Sequence, residues 1–385
     1  MPIDPDFWAG RRVLLTGHTG FKGAWLSLWL QSLGARVSGL APGPPTRPSL
    51  YELAGIAAGI EHERACDVRD AGAVSEALRE LRPEVVLHLA AQPMVRRSLR
   101  DPATTYAVNV LGTVNVLEAL RLHPGDVRAV VVVTSDKCYE NPGGETRRFA
   151  EGDPLGGSDP YSSSKACAEL VTASYRRSFF SSGDAPNLAS ARAGNVIGGG
   201  DWGEDRLIGD IVRAVRAGET VKLRNPDAVR PWQHVLNPLD GYLLLAQELY
   251  RATRPMRQAG AAQEAGAAQE AGAAREAGAA QEAGAAQAWN FGPREGDARP
   301  VRWIVERLAE LWGGALRWEL DGAENPPEAG YLALDSGKAE RELGWRPAWD
   351  LGEALERVVG WHQAERRGDD MRATSLAQIE LFGGR

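Results

Sequence analysis

Nowhere does the chain carry an unbroken run of about eighteen apolar residues, the length a bilayer-spanning helix needs, and its first residues, MPIDPDFWAGRR, lack the apolar centre of a secretory signal. A soluble, cytoplasmic protein is expected. Cysteine is scarce. Cys66, Cys138 and Cys167 are too few and too scattered for a disulfide framework, and no CxxC or HExxH cluster offers a metal site, so free thiols and no metal are expected. Blocks of like charge are missing too: 44 Lys and Arg are interspersed with 51 Asp and Glu, for a net charge of −7. That balance disfavours a nucleic-acid partner and leaves small molecules as the expected ligands. At 385 residues the chain is long enough for one large α/β domain with a smaller lobe, or for two domains.

What is present is alternation. Short β-branched runs predict strands over residues 13–16, 36–40, 85–89, 129–134 and 188–192, with a further strand-like stretch over 62–66. Segments of helical period fall between them, over 21–33, 71–81, 104–121 and 161–179. This order predicts an α/β fold, a doubly wound parallel sheet built from right-handed βαβ units, with ligands bound beyond the carboxyl ends of the strands. The second half is less regular, with helices predicted over 207–217, 238–250 and 301–311, and reads as a smaller carboxyl-terminal α/β lobe closing over the sheet. Residues 257–288 repeat QEAGAA, with Arg275 replacing Gln once. Each repeat glycine costs roughly 1 kcal/mol of helix relative to alanine, and the segment has almost no large apolar side chain, so a solvated insertion with no core of its own is expected.

Two places carry chemistry. VLLTGHTGFKG sets Gly17, Gly20 and Gly23 three residues apart between a predicted strand and a predicted helix. Glycines there permit a tight turn and a close backbone approach, and the helix start offers unpaired N–H groups to a pyrophosphate. Asp67 either receives an adenine amino group or caps the helix that begins at 71. In HLAAQ the small residues after Leu89 let a cofactor lie close, whereas the second strand ends in Gly39, Leu40 and Ala41 rather than in an acid that would grip the ribose hydroxyls. The second place is VVVVTSDKCY, where a strand that reads as buried on both faces ends in Ser135, Asp136 and Lys137. Further on, DPYSSSKACAEL puts Tyr161 and Lys165 four residues apart, on one face of a helix. A phenol is a poor base near neutrality, but a neighbouring ammonium and a cationic cofactor would favour phenolate. Trp202 and Trp232 either stack on a base or fill the lobe.

The glycine turn, HLAAQ, TSDK, YxxxK and RAGNVIGGGDW together resemble the extended short-chain dehydrogenase/reductase superfamily. TGHTGFKG, AAQPMVRRS, TSDKCYEN, DRLI and RNPDAVRPWQHVL are similar, within it, to the CDP-glucose 4,6-dehydratase family; the likeness covers most of 12–250 and resumes at WNFGP. The resemblance implies a Rossmann domain over roughly residues 1–190, a nucleotide-sugar lobe over roughly 191–385 with the chain crossing between them, and retained NAD as cofactor. It also implies a nucleotide sugar, CDP-glucose, as substrate in deoxysugar biosynthesis. By the same resemblance, NAD is held by Gly17, Thr19, Gly20, Phe21 and Gly23, by Asp67, Val68, Leu89, Ala90 and Ala91, and by Asn109, Thr134, Tyr161 and Lys165. The substrate is held by Gln92, Asn195, Arg206 and Arg230.

Related dehydratases carry Asp then Glu after the hydroxyl residue, whereas this chain has Asp136 then Lys137. Oxidising C4 of the hexose to a ketone acidifies the C5 proton, so removal of water from C5 and C6 needs a base at C5 and an acid at O6. Asp136 is expected as the acid, Lys137 as the base and Ser135 as a hydrogen-bond partner of the C4 oxygen beside Tyr161. A nucleotide-sugar epimerase would use the same Tyr and Lys without needing the acid and base, and a catalytically silent NAD-binding protein would need neither Tyr nor Lys. The resemblance also implies a homodimer joined through the helices predicted over 104–121 and 161–179, or a higher homo-oligomer.

Overall fold

Runs that are apolar on both sides require cover on both sides, and the chain supplies it with helices. In the computed structural model, which describes residues 3–144, 146–181, 185–253, 284–314, 316–322 and 329–384, seven strands form one sheet. They are β1 (Arg12–Thr16), β2 (Arg36–Ala41), β3 (Ile60–Ala65), β4 (Val85–His88), β5 (Ala129–Val133), β6 (Asn187–Arg192) and β7 (Ala288–Asn290). Every pairing is parallel and the order is β7-β6-β5-β4-β1-β2-β3. Alternate residues of β5 face opposite layers. Val131 and Val133 join Trp25, Leu28 and Leu243 on one side, while Val130 and Val132 join Val116, Leu117 and Leu120 on the other. The strand order reverses where β1 pairs with β2 on one edge and β4 on the other, and a crevice opens there beyond the strand ends.

The predicted helices over 21–33, 71–81 and 161–179 appear as Phe21–Ser32, Ala71–Leu81 and Pro160–Phe179. The helix predicted over 104–121 is divided into Pro102–Tyr106, a single π turn Ala107–Leu111 and Gly112–Leu122. The π turn contains Asn109, whose carboxamide is bonded to three groups outside its own helix, a local demand that helical periodicity does not encode.

The second half contains a separate apolar cluster including Ile208, Ile211, Trp232, Ile304 and Leu355. Around it lie helices Leu207–Ala217 and Val301–Leu311, a parallel pair Thr220–Leu223 with Arg317–Leu320, and an antiparallel pair Val229–Pro231 with Ala298–Pro300. Not all of 191–385 lies in that lobe. Helix Leu236–Ala252 packs on β5 and β6, and helix Met371–Gly383 lies on helix Phe21–Ser32, with the rings of Trp29 and Phe382 5.5 Å apart.

Most of the repeat falls outside the described residues, but its end corrects the expectation of a segment without a core. Ala286 is buried within the main apolar cluster, Ala285 packs against it, and Ala288 opens β7 against β6. Small side chains there fit against the sheet edge, which their lack of apolar bulk concealed. Among the described residues no helix is long and apolar enough to cross a membrane.

Candidate active site

Gly17, at φ +72°, turns the chain out of β1, and a Cβ there would sit 2.8 Å from the Ala90 backbone beyond β4. A Cβ on Gly23 would sit 2.1 Å from the Gly17 carbonyl oxygen. The turn therefore closes only with glycines at both positions. No side chain caps helix Phe21–Ser32, so its first-turn N–H groups are left for an anion in the cleft that Phe21, Lys22 and Gly23 line. This cradle fits a dinucleotide pyrophosphate. The cleft, about 1330 Å³, runs from the glycine turn past Thr19, Asp67, Val68, Leu89, Ala90 and Ala91 to Thr134, Tyr161 and Lys165, more than the 300–1,000 Å³ typical of a single small ligand. A recess of about 210 Å³ leads on from Asp136 and Lys137 to Arg224 and Arg230.

β5 delivers Ser135, Asp136 and Lys137 to the middle of this cleft. The Ser135 hydroxyl donates to Asp136 Oδ1 at 3.0 Å and accepts from the Lys137 N–H at 3.2 Å, tightening the turn Asp136–Cys138. Asp136 is 2 % exposed, and its second oxygen, Oδ2, has no hydrogen-bond partner among the described residues. Burial raises its pKa above the ordinary carboxylate range, opposed by Lys137, the Ser135 hydrogen bond, Arg230 and Lys22. A Cβ on Gly194 would come within 1.7 Å of Oδ2, so the carboxyl is seated against bare backbone.

Asp159 caps the next helix, accepting from the Ser162 N–H at 2.9 Å, and the Ser98 hydroxyl accepts from the Tyr161 N–H at 3.1 Å. Tyr161 is thereby aimed at Ser135. Burial pushes its phenol up to about 12, while the hydrogen bond with Ser135 and the charge of Arg206 pull it back. Lys165 was expected to supply that pull. Instead its Nζ donates to the Val133 carbonyl at 3.3 Å, and burial brings it down to about 8, opposed by Glu169. Glu169 ties the helix to the sheet. It accepts from Thr134 Oγ1, from Ser190 Oγ at 2.6 Å and from Arg192 at 2.8 Å, an ion pair with both side chains 3 % exposed.

Three expected roles meet a different geometry. The Gln92 carboxamide is occupied by Met94 and Thr105, its nitrogen donating at 3.0 and 2.9 Å and its oxygen accepting at 2.7 Å. The Asn109 carboxamide bonds the Gln92 backbone at both ends and Ser164 at 2.8 Å, fastening the loop after β4 to the Tyr161 helix. The Asp67 carboxylate is held by Arg69 at 2.6 Å, which lowers its pKa, and the cap of helix Ala71–Leu81 is Asp70 rather than Asp67. Trp232 is buried in the lobe and donates to the Arg299 carbonyl at 2.9 Å, whereas Trp202, also buried, lines the cleft.

Asn195, Arg206 and Arg230 all reach the cleft or its recess, Arg206 held by Asp201 at 3.2 Å. Sequence reasoning missed Lys22, Arg96 and Arg224. Lys22 belongs to the glycine motif, yet its side chain faces Asp136, Asp201, Lys165 and Arg206, and burial brings it down to about 7. Arg96 and Arg224 both approach Asp205, at 3.5 and 3.3 Å. The cationic residues of TGHTGFKG, AAQPMVRRS and RNPDAVRP were thus readable as cations, but not as neighbours. Their convergence makes a positive cleft in a chain of net charge −7, suited to phosphorylated ligands.

Residues 13–256, more than half of the chain, match the NAD dependent epimerase/dehydratase family. A CDP-glucose 4,6-dehydratase of Salmonella typhimurium is 46% identical over 384 residues, covering 99% of this chain and 98% of that protein. A dTDP-glucose 4,6-dehydratase of Streptomyces venezuelae, solved with NAD, superposes with a TM-score of 0.70 at 22% identity, covering 94% of this chain and 99% of the other. The UDP-glucose 4-epimerase of Thermus thermophilus, also solved with NAD, gives 0.70 at 25% identity, covering 91% and 99%.

Proposed function

Because the chain belongs to the NAD dependent epimerase/dehydratase family, we propose that it is an NAD-dependent hydro-lyase that converts CDP-D-glucose to CDP-4-dehydro-6-deoxy-D-glucose and water. The observation that carries this reading is the buried carboxyl of Asp136 beside the amine of Lys137, both opening into the cleft that holds Tyr161. A 4-epimerase has no use for that pair. The cytidine specificity is drawn from the relative that shares nearly the whole length.

NAD, held by the glycine turn and by the cleft lined by Thr19, Leu89 and Ala90, would supply the hydride acceptor for C4 and the donor for C6. Tyr161 removes the proton of the C4 hydroxyl, with Ser135 hydrogen-bonded beside it. Lys165, bonded to the end of β5, lines the cleft, where its charge would help to hold the cofactor. Lys137 takes the C5 proton and later restores one there. Asp136, whose burial favours the protonated form, gives its proton to O6 as water departs. Arg230 and Asn195, with Arg206, hold the diphosphate.

The deciding assay incubates the protein and NAD with CDP-glucose carrying oxygen-18 at C6. Loss of the label together with the alkali-induced absorbance of a 4-keto sugar is expected. Retention of the label with change at C4 would mark an epimerase, and an untouched sugar would mark a mere binder. CDP-glucose is expected to outrun dTDP-, UDP- and GDP-glucose as substrate.

The protein is also proposed to be a cytoplasmic homodimer. Leu111, Leu170 and Phe179, on the two helices expected to pair, are 57%, 58% and 47% exposed. That is a large apolar face for solvent. Sedimentation is expected to give a dimer for the wild type and a monomer for Leu111→Glu with Leu170→Glu; a monomeric wild type would refute this.

A further inference from the structure

A substrate held as proposed continues past its diphosphate. With the hexose against Asp136 and Lys137 and the phosphates against Arg230, the ribose and base extend into the recess that those three residues share with Arg96 and Arg224. Val95, Leu99 and Leu332 give this recess apolar walls. Arg96 belongs to helix Val95–Arg100, beyond β4, whereas Arg224 follows strand Thr220–Leu223 of the lobe. From these two sides both arginines reach one atom, Oδ1 of Asp205, at 3.5 and 3.3 Å. The other oxygen of that carboxylate, Oδ2, has no hydrogen-bond partner among the described residues.

The backbone sets Asp205 apart as well. Its φ of +57° is left-handed, a conformation that among the described non-glycine residues only Arg82 and Asn195 share. Arg82 ends helix Ala71–Leu81, while Asn195, like Asp205, borders the site. As a fold-holding clamp the cluster is weak, because its members are 37%, 27% and 25% exposed and its bonds are long for charged partners. As a ligand edge it is selective. Oδ2 of an ionised Asp205 can only accept, and guanidinium N–H groups can only donate. Cytosine offers an amine at C4 and bare acceptors at N3 and O2. Uracil and thymine instead carry an oxygen at C4 and a proton at N3, which would set acceptor against acceptor and donor against donor.

We propose that Asp205 reads the cytosine base, its Oδ2 accepting from the C4 amine while Arg96 and Arg224 donate to N3 and O2. This rests on the dehydratase reading above and deepens it by naming the residues that choose the nucleotide.

Calorimetry on the NAD-loaded enzyme with CDP and with UDP isolates the base, since neither ligand carries a hexose. The wild type is expected to bind CDP about a hundredfold more tightly than UDP. Asparagine suits a left-handed backbone as well as aspartate does, and its amide can turn either oxygen or nitrogen toward a ligand. In Asp205→Asn the preference is therefore expected to shrink to within about tenfold. A carboxylate that merely links the two walls would, when replaced, weaken both ligands alike and leave their ratio unchanged; that result would overturn the assignment. So would a wild type that binds UDP as tightly as CDP. If the asparagine variant does not fold, Asp205→Gly, which also fits φ +57°, is the second arm: loss of the preference supports the base contact, and full preference overturns it. A wild type that prefers CDP yet makes no 4-keto sugar from CDP-glucose would instead remove the dehydratase reading and leave the base contact standing.

Discussion

Asp136→Asn is expected to slow elimination by about 10²–10⁴-fold, the usual loss when a positioned general acid is removed, while C4 oxidation falls much less. The two steps separate because asparagine imitates the neutral acid. It has nearly the shape of the side chain it replaces, and its oxygen can still accept from the Ser135 hydroxyl where Oδ1 does now at 3.0 Å. Because the substitution leaves Arg230, Arg206 and Asn195 in place around the cleft and its recess, KM for CDP-glucose is expected to change much less than the elimination rate. What asparagine lacks is the proton for O6. In a single turnover, reduced cofactor should therefore appear at near-normal speed and persist, with oxygen-18 retained at C6. Equal slowing of oxidation and elimination would deprive Asp136 of its role as the acid. A tenfold change corresponds to about 1.4 kcal/mol, so the expected defect is about 3–6 kcal/mol in the elimination step alone.

The sheet and most of its helices were legible in the sequence because their signals are local. β5 reads as apolar on both faces, and the glycine spacing after β1 reports a turn that side chains would block, as the 2.1 Å approach at Gly23 shows. The site was legible to the same depth. Ser135, Asp136, Lys137, Tyr161 and Lys165 each sit at the end of a strand or on the first turns of a helix whose position follows from local pattern, and the structure brings all five into one cleft. Less of what surrounds them could be read. Glu169 and Arg192 meet across 23 positions, and Gly194 gives room to a carboxyl 58 residues earlier. Periodicity carries no information about such meetings. Gln92 and Asn109 show the reverse: motif position suggested ligand contacts, whereas the Asn109 amide is bonded to the Gln92 backbone and Ser164, and the Gln92 amide to Met94 and Thr105. β7 follows a segment of low complexity and consists of three residues, too short to announce itself except by its pairing with β6.

Tyr161→Phe should act earlier in the reaction than Asp136→Asn and leave a different trace. Tyr161 is 8% exposed, so phenylalanine fills the same volume and the helix, still capped by Asp159, has no reason to shift. Only the hydroxyl goes, and with it the base that must take the C4 proton as hydride departs. Hydride transfer in a single turnover is expected to fall by about 10²–10⁴-fold, with no accumulation of reduced cofactor because it would form more slowly than the later steps consume it. Near-normal hydride transfer would remove Tyr161 from this post. The pH profile adds a second check with a fixed sign. The phenol, raised to about 12 by burial, must be brought down by the positive cofactor ring before it can serve, so the wild-type hydride step rises with pH over the range where Tyr161 ionises. Lys165 loses its proton near 8, and with that charge gone from the cofactor channel the rate is expected to decline at higher pH. In Tyr161→Phe the rising limb should vanish, since no phenol is left to titrate, while the decline set by Lys165 should persist in whatever residual rate is measured. A rising limb that survives the substitution would mean that another group supplies the base.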